Sequence, residues 1–424
     1  MEMNQASSPR VCGIIAEYNP LHNGHAEHIR LAKEKTNSDY VVAVMSGDFT
    51  QRGEPAIADP WSRARMALAA GVDIVFELPE CYAVQPAEWF AFGGVLLLHS
   101  LGVVSHIAFG AENPDVDMLS RIDDAICPEP AALSQAIRDD LSKGHAHPRA
   151  REHSVIALRN ELKLPYSDED IHAVLSSSNN ILAMHYLRAI KTLQSSLCPV
   201  AIQRLGGRYL AENLEESRFN SATAIRKEMI ENGRIPIESL PSSTFSILQS
   251  LQANGQRFIG LDNLSDLVLY RLRIASADQL AQLPDMREGL EALLWKKAQY
   301  TSTLSELVDA TLSKRYTRAR LQRFLIHALL GITQQNIDML RETRPMAARV
   351  FGMRQRAFPL MRQIHEKASL PVVTRPGRFH PADAPTHFLW QTNLLASDII
   401  ALTSDKNELR KGRRCLTEPM VVVE

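Results

Sequence analysis

Two histidines three residues apart, His22 and His25, are the side chains of this sequence best suited to chemistry on phosphate. One helical turn can bring both imidazoles beside the same phosphate group. There they can donate to its oxygens and to a departing pyrophosphate, where negative charge develops. A zinc site needs further ligands, and two histidines alone do not form one. By spacing alone such a pair is more often a pair of surface or capping residues, so its surroundings decide.

Those surroundings are a strand that passes into a helix. Residues 11–16 (VCGIIA) form an apolar run, the turn-prone residues 18–20 (YNP) follow, and a helical pattern begins at Gly24, where backbone can approach a ligand closely. In a doubly wound sheet, ligands bind beyond the carboxyl ends of the strands. A helix N-terminus at that edge offers backbone N–H groups and a positive dipole end to phosphate. The segment therefore predicts a nucleotide-binding site.

A second phosphate-binding candidate lies later in the chain, at residues 220–226 (NSATAIR). The hydroxyls of Ser221 and Thr223 and the first N–H groups of a helix suit β- and γ-phosphates, and Arg226 adds positive charge. Taken alone, the segment could be an ordinary capped helix. Together with the histidine pair it predicts the other half of one site.

The elements that must position these residues alternate between strand and helix. Further apolar runs read as strands at residues 40–45, 72–78, 105–109 and 199–204, with helical patterns between them. Near-continuous apolar strands separated by helices are typical of a parallel sheet covered on both faces. We therefore expect an α/β fold with a Rossmann-like doubly wound parallel sheet over residues 1–235, interrupted by a helical insertion at about 115–175.

Beyond about residue 235 the strand signal fades and amphipathic helical patterns dominate, with residues 371–373 as one candidate strand. Gly233 and Pro236 punctuate the chain at this point. We place a domain boundary there and expect residues 236–424 to form a mainly α-helical domain. No internal repeat is evident.

Composition excludes several classes of protein. The 424 residues are 45% hydrophobic and carry 47 Lys+Arg against 48 Asp+Glu, so disorder and collagen-like sequence are ruled out. The most apolar stretch, residues 90–110, is interrupted by polar side chains and reads as core rather than as a membrane span. The start lacks the pattern of a signal peptide, and the five scattered cysteines contain no CxxC pair. We expect a cytoplasmic protein with reduced thiols.

The near-zero net charge hides a basic window at residues 311–370, which holds 12 Lys+Arg and 3 Asp+Glu. Such a window supports phosphate contact with a nucleic acid. The alternative is a solvated helical face whose acidic partners come from the other domain. The candidate RNA-binding residues form one short basic run: Lys314, Arg315, Arg318, Arg320 and Arg323.

The motifs also resemble a known family. The HNGH at residues 22–25 resembles the HxGH signature of the nucleotidyltransferase superfamily, and residues 220–226 resemble its Ser/Thr-rich helix start that ends in Arg. Further segments follow in order: MSGDFTQRGEP at 45–55, AGVD at 70–73, ELP at 77–79, QPA at 85–87, FGAE at 109–112 and SNNIL at 178–182. Together they resemble the tRNA(Met) cytidine acetate ligase family, densely over residues 11–230. Residues 313–320 (SKRYTRAR) extend the resemblance.

This resemblance implies an activity. ATP would activate acetate as acetyl-adenylate with release of pyrophosphate, and the acetyl group would pass to N4 of the wobble cytidine of elongator tRNA(Met). ATP is the expected cofactor and arrives with Mg2+, whereas no metal ligand of the protein itself is expected. Two other functions stay open on the residues: a small-molecule adenylyltransferase, and a non-catalytic RNA-binding protein with a decayed nucleotide fold.

The resemblance also implies site residues, with His22 and His25 catalytic. Only one of the two neighbouring asparagines is expected to contact ATP. The implied ATP site is Ile15, Ala16, Glu17, Tyr18, Asn19, Pro20, Leu21, His22, Asn23, Gly24, His25, His28, Gly110, Asn179, Asn180, Arg204, Ser221, Thr223 and Arg226.

One position departs from the family pattern. Relatives often carry lysine where Pro60 stands, so we expect Arg52, Arg63 or Arg65 to supply that charge instead. The turn at residues 51–54 (QRGE) is a candidate lid on the acetate or phosphate side. The alternative for this turn is a flexible loop.

Overall fold

The computed structural model describes residues 9–204, 219–286, 289–313 and 315–424. Within these ranges eight strands form one sheet. The strands are β1 (Val11–Ala16), β2 (Tyr40–Ser46), β3 (Ile74–Leu78), β4 (His106–Ala111), β5 (Cys198–Gln203), β6 (Ala348–Arg354), β7 (Val372–Val373) and β8 (Val421–Val423).

Helices surround this sheet and make up most of the remaining structure. In the N-terminal half they are α1 (Asn23–Thr36), α2 (Pro60–Ala69), α3 (Glu80–Ala83), α4 (Ala87–Ser100), α5 (Val116–Ile126), α6 (Ala131–Ser142), α7 (His147–Ala157), α8 (Asp168–Leu175), α9 (Ser178–Thr192) and α10 (Ala222–Glu231). In the C-terminal half they are α11 (Ser242–Ala253), α12 (Ser265–Ile274), α13 (Ala277–Ala281), α14 (Leu290–Ala298), α15 (Leu304–Thr311), α16 (Arg318–Leu330), α17 (Gln334–Thr343), α18 (Phe358–Lys367), α19 (Ala384–Leu402) and α20 (Arg414–Thr417).

The sheet is parallel in its N-terminal part. The strand order is β5-β4-β1-β2-β3-β6-β7, with β8 also paired to β6. β1 pairs in parallel with both β2 and β4, so the direction of winding reverses between β1 and β4. Such a reversal creates a crevice beyond the carboxyl ends of the two strands. The α/β doubly wound fold class expected from the sequence is confirmed.

Side chains of the central strands alternate between two cores. Val42 and Val44 point to the face covered by α4, whereas Val41, Ala43 and Met45 point to the opposite face, covered by α1 and α2. All five are fully buried. Burial on both faces explains why these strands are near-continuous apolar runs in the sequence.

The helix starts follow local chemistry. The Asp59 side chain accepts a hydrogen bond from the Ser62 N–H, and Pro60 occupies the first turn of α2. The expected insertion consists of α5, α6, α7 and α8, which lie between β4 and α9. No helix within the described ranges is long and apolar enough to cross a membrane.

The sequence did not predict that the C-terminal half also contributes to the sheet. β6 pairs antiparallel with β3, and β7 and β8 pair with β6. The missed strand contains Arg349, which interrupts its apolar pattern, yet this arginine is only 1% exposed. Because β6 completes the sheet, the strands are not confined to residues 1–235. The division into two domains at that point stays a prediction.

Candidate active site

A deep cleft opens at the carboxyl ends of β1 and β4, where the winding direction reverses. It encloses about 1410 Å³ of empty space, its open mouth included. The predicted residues that line it are Ile15, Ala16, Glu17, Tyr18, Asn19, His22, Gly24, His25, His28, Gly110, Asn179, Arg204, Ser221, Thr223 and Arg226. The fold thus brings together two segments about 200 residues apart in the sequence, at 15–28 and at 221–226.

The histidine pair is fixed by the start of α1. His22 is the N-cap residue, and its Nδ1 accepts a hydrogen bond of 3.1 Å from the Gly24 N–H. The His22 N–H lies 3.4 Å from Nδ1 of His25, which completes a reciprocal cap. The two rings stack with their centroids 3.8 Å apart, and Tyr18 packs edge-on against His25. Both imidazoles are therefore held in one orientation at the cleft wall.

These contacts define which nitrogens can donate. Because Nδ1 of each ring accepts from a backbone N–H, a neutral ring carries its proton on Nε2. Burial, reinforced by the positive charge of Arg204, lowers the pKa of His22 to about 3 and that of His28 to about 4. Burial and the neighbouring His22 hold the pKa of His25 well below its usual range. Near neutral pH the pair is two uncharged Nε2–H donors, a refinement of the sequence analysis, which left the charge state open.

The second phosphate-binding candidate is the start of α10. Ser221 is its N-cap, and the hydroxyl oxygen accepts a hydrogen bond of 3.1 Å from the Ala224 N–H. Arg226, one turn later, donates to the carbonyl of Asn19 at 2.9 Å and pairs with Glu54 at 3.2 Å. The first N–H groups of a helix have no intrahelical partner. The α10 start therefore directs positive charge into the cleft opposite α1.

The third wall carries the residues expected near adenosine. A Cβ on Gly110 would lie 3.2 Å from Cγ of Arg204, so a side chain here would press on the arginine stem before it reached a ligand. Arg204 donates to the Asn179 side-chain oxygen at 3.2 Å, and the Asn179 amide donates to Glu112 at 2.6 Å. Asn179 and Arg204 are thus ordered as one unit on this wall.

The structure separates the two asparagines. Asn179 lines the cleft, whereas Asn180 is fully buried outside it. The Asn180 side chain accepts from the Asn113 N–H and donates to the Ala173 carbonyl, so its hydrogen-bonding groups are occupied in the protein interior. Asn180 therefore holds the insertion against α9, and Asn179 is the asparagine placed to face a ligand in the cleft; that it contacts ATP stays a prediction.

Three further residues of the expected stretch lie behind the cleft wall. Pro20 and Leu21 are buried, and the Asn23 amide donates to the Glu238 carbonyl at 3.0 Å. None of the three lines the cleft. Their role in this structure is to hold the loop that presents the histidines.

The turn at residues 51–54 forms the rim of the cleft and is anchored on α16. Gly53 has a φ of +76°, and a Cβ there would lie 2.4 Å from the backbone nitrogen of Arg323. Glu54 pairs with Arg226 and also accepts from Gln322, while the Gln51 N–H donates to Glu17 at 2.7 Å. The turn therefore connects the α10 side of the cleft to α16.

The arginines proposed to replace the family lysine differ in position. Arg63 is fully buried and donates to the carbonyls of Ala58, Glu17 and Gly47, so it supports the loops from behind. Arg65 is exposed on α2 and does not line the cleft, whereas Arg52 does. Of the three candidates, only Arg52 can face a phosphate.

Sequence reasoning missed the apolar walls of the cleft. Phe90, Phe109, Leu182 and Tyr186 line it, and the rings of Phe109 and Tyr186 lie 5.6 Å apart. A signal was available on α9, because residues 179, 182 and 186 recur at the spacing of one helix face. Apolar surface beside a few fixed polar groups is typical of a small-molecule site.

The residues of the candidate RNA-binding run differ in their exposure. Lys314 lies outside the described residues. Arg315 and Arg318 are exposed, and Arg318 pairs with Asp309. Arg320 donates to the Asp285 carbonyl at 2.9 Å and stacks over the Tyr316 and Phe324 rings.

Arg323, the last residue of the candidate run, is directed toward the turn at residues 51–54. It lies 3.4 Å from the Gln51 carbonyl, and burial lowers its pKa to about 10. Its guanidinium therefore supports the turn at the cleft rim.

Other arginines of the basic window serve the fold. Arg349 is buried beside Glu77, 3.7 Å away, and donates to the Cys415 carbonyl at 2.6 Å. Arg356 pairs with the fully buried Asp73 at 2.6 Å. Both acids belong to the N-terminal half, as the alternative interpretation of the window required. The window charge of +9 therefore overstates the free positive surface.

Two helix starts face each other at the switch point of the parallel sheet: α1, capped by His22, and α10. This combination of fold and site is typical of nucleotidyltransferases. In agreement, the family described as HIGH Nucleotidyl Transferase matches residues 10–414. A protein of Caldanaerobacter subterraneus subsp. tengcongensis named tRNA(Met) cytidine acetate ligase is 40% identical over 392 residues, covering 92% of this chain and 94% of the relative. One of the same name from Acetivibrio thermocellus is 34% identical over 421 residues, covering 98% and 100%.

Solved structures agree with these sequence matches. The apo crystal structure of Thermotoga maritima TmcAL matches with a TM-score of 0.90 at 30% identity, covering 98% of this chain and 99% of that one. The structure of the same protein bound with alpha-thio ATP matches with a TM-score of 0.88. The chain belongs to the tRNA(Met) cytidine acetate ligase family, a family of ATP-using ligases.

Proposed function

We propose that this protein activates acetate with ATP as acetyl-adenylate and transfers the acetyl group to N4 of the wobble cytidine of elongator tRNA(Met). The observation that carries this proposal is the cleft in which the HxGH loop faces the α10 start. Near full-length similarity to relatives named for that ligase supports the choice of substrates.

In the first step an acetate oxygen attacks the α-phosphorus of ATP. A phosphorus–oxygen bond to acetate forms, the bond between the α-phosphorus and the bridging oxygen breaks, and pyrophosphate leaves with that electron pair. His22 and His25 donate from Nε2 to the α-phosphate oxygens, where charge increases in the transition state. Preorganised donors suit this task because the stacked, capped rings need no rearrangement during the reaction.

The departing pyrophosphate is bound at the opposite wall. The start of α10 offers N–H groups there, and Arg226 adds positive charge. In this structure Arg226 is paired with Glu54. We expect the triphosphate to compete with Glu54 for this guanidinium, which links ATP binding to the turn at 51–54.

In the second step the N4 amine of cytidine attacks the acyl carbon. A carbon–nitrogen bond forms, the bond from the acyl carbon to the phosphate oxygen breaks, and AMP leaves with the electron pair while N4 loses a proton. The exposed Arg315 and Arg318 lie at the start of α16. Because the cleft rim contacts this helix through Gly53, RNA bound at the helix start lies beside the cleft.

Magnesium and the cellular location remain parts of the proposal. Mg2+ would bind through the phosphate oxygens of ATP, because the carboxylates of Glu17 and Glu27, which line the cleft, are engaged within the protein: Glu27 with Arg30 and Glu17 with the Gln51 N–H. When bound, the ion neutralises part of the triphosphate charge. A tRNA substrate favours a cytoplasmic location.

The decisive substrate experiment compares two RNAs. We would incubate the protein with ATP, radiolabelled acetate and either elongator tRNA(Met) or the same tRNA with uridine at the wobble position. The proposal predicts label in the first RNA only, recovered as N4-acetylcytidine. Label in neither RNA, with adenylation of another small molecule, would support a plain adenylyltransferase. RNA binding without ATP turnover would support a non-catalytic protein.

A further inference from the structure

A cluster of metal-ligating side chains lies outside the cleft, in the helical insertion. Asp140 stands in the last turn of α6, His145 in the connection to α7, and His153 within α7. None of them lines the active-site cleft. We propose that Asp140, His145 and His153 form a binding site for a zinc ion.

The geometry of the three side chains supports this proposal. Nδ1 of His145 lies 2.9 Å, and Nδ1 of His153 3.1 Å, from the same oxygen, Oδ2 of Asp140. All three candidate ligand atoms lie within 4.8 Å of one another. In a tetrahedral zinc site with bonds of about 2.0–2.2 Å, neighbouring ligand atoms are about 3.3–3.6 Å apart. The two Nδ1–Oδ2 distances need to lengthen by a few tenths of an ångström, and rotation of the partly exposed imidazoles can bring their two nitrogens to the distance that the ion requires.

The chemistry of the ligand set points to zinc. Two imidazoles and one carboxylate leave a fourth tetrahedral position for water, and imidazole favours zinc over magnesium or calcium. The His145 and His153 rings are nearly perpendicular, at 88°, so each can direct its Nδ1 lone pair inward without ring overlap.

Burial divides the cluster into a fixed and an accessible part. The Asp140 side chain is only 11% exposed, whereas the side chains of His145 and His153 are 35% and 39% exposed. The carboxylate is therefore held by the fold, and the imidazoles leave a path for an ion from solvent.

Two cations adjoin the cluster but occupy other atoms. Lys143 lies 3.6 Å from Oδ1 of Asp140, and Arg149 lies 3.4 Å from Nε2 of His153. Zinc at Nδ1 of His153 moves the ring proton to Nε2, so the Arg149 contact must be released. Arg149 is exposed and can move. The positive charges of Lys143 and Arg149 weaken the binding of any cation at this site. An ion that binds here therefore needs strong bonds to its ligands, and zinc forms such bonds with imidazole.

The competing explanation is a metal-free cluster in which both imidazoles donate hydrogen bonds to the carboxylate. Asp140→Asn separates the two explanations, because the amide oxygen still accepts hydrogen bonds but is a poor zinc ligand. His172→Ala is the matched control. His172 pairs with Glu152 at 2.6 Å in the same insertion and is not part of the cluster.

The test is a titration of untagged, chelator-treated full-length protein with Zn2+ by calorimetry. Cys198 is replaced by serine throughout, because its exposed thiol could also bind zinc. We expect one site per chain in the parent and in His172→Ala, and at least a tenfold loss of affinity in Asp140→Asn and in His145→Ala/His153→Ala. We also expect zinc to raise the melting temperature of the parent and not of these variants.

Two results would overturn the proposal. One is a parent protein that binds no zinc. The other is zinc binding with unchanged affinity in Asp140→Asn and in the double histidine variant. ATP–pyrophosphate exchange should be the same in all variants, since the cluster lies outside the cleft, so this test is independent of the proposed function.

Discussion

The cleft and the basic window differ in how their charged and polar residues are used. In the cleft, segments far apart in sequence converge, and the histidines, the α10 start and Arg204 all face one space. In the window, Arg349 and Arg356 are paired with acids of the N-terminal half, and Arg323 is turned toward the cleft rim.

This difference has a physical origin. A motif at a strand end is positioned by the strand and by the helix that follows, so its local sequence fixes where it points. A count of basic residues says nothing about which acids the fold brings beside them. Arg349 shows this directly, because its partner Glu77 is 272 positions away in the sequence and meets it only when β6 joins β3.

The largest effect is expected on stability, from removing a buried arginine of the basic window. Arg349→Met leaves Glu77 buried without its cation, and we expect a loss of about 3–5 kcal/mol in the free energy of unfolding. Chemical denaturation measures it. Arg354→Met, at the more accessible end of the same strand, should cost far less. Equal losses in both variants would mean that the buried Arg349–Glu77 pair contributes no more to stability than Arg354 does.

Next in size is the loss of a catalytic donor. His25→Ala removes one Nε2–H donor, and we expect ATP–pyrophosphate exchange to fall about 10²–10³-fold, as for other preorganised oxyanion donors. His99→Ala, an exposed histidine on α4, is the control and should keep full activity. The melting temperature and tRNA binding of His25→Ala should stay close to the parent values. Unchanged exchange would remove the histidine pair from the mechanism.

A smaller effect is expected for RNA binding. The double variant Arg315→Ala/Arg318→Ala should weaken tRNA binding and reduce the slope of log K against log salt by about 0.7–0.9 for each phosphate that the variant no longer binds. Filter binding at several salt concentrations measures this slope. Arg356→Ala should lower stability while leaving the slope unchanged, because its partner is Asp73. A slope that responds to Arg356 and not to the other two would reverse the assignment.

The smallest effect is expected for pH. The pKa of His22 is lowered to about 3 and that of His28 to about 4, so in the free protein both stay neutral as the pH falls from 8 to 6. Protonation would set in only as the pH approaches 4, so kcat/KM for ATP should show no histidine inflection near 6.5. His22→Gln is the control, because ionisation of ATP changes the pH profiles of the parent and the variant equally, whereas titration of His22 can change only that of the parent. An inflection near 6.5 that is absent from the variant would show that His22 titrates at its ordinary pKa.

The features that the sequence predicts are those set by local residues, and the features that it misses depend on contacts between distant parts of the chain. The parallel strands and the placement of both candidate phosphate-binding segments at one cleft were predictable, because apolar runs, turns and helix caps are local features. The choice between Asn179 and Asn180 was not. Adjacent helical residues point about 100° apart, and only the packing of the insertion shows that Asn180 faces inward.

Strand β6 and the contact between the turn at residues 51–54 and α16 could not be predicted from the sequence either. Arg349 makes β6 look polar, although its charge is compensated in the interior. Gly53 is unremarkable in the sequence, and its contact with the α16 backbone depends on a helix 270 positions later. Both features arise from contacts between distant parts of the chain.

ATP–pyrophosphate exchange, measured with and without acetate and in the absence of tRNA, tests the central claim most directly. Our account predicts exchange that depends on acetate, because acetate is the nucleophile that displaces pyrophosphate. It also predicts that exchange proceeds without RNA. Exchange at the same rate without acetate, in protein freed of bound carboxylates, would contradict the proposed activity and favour adenylation of a different substrate.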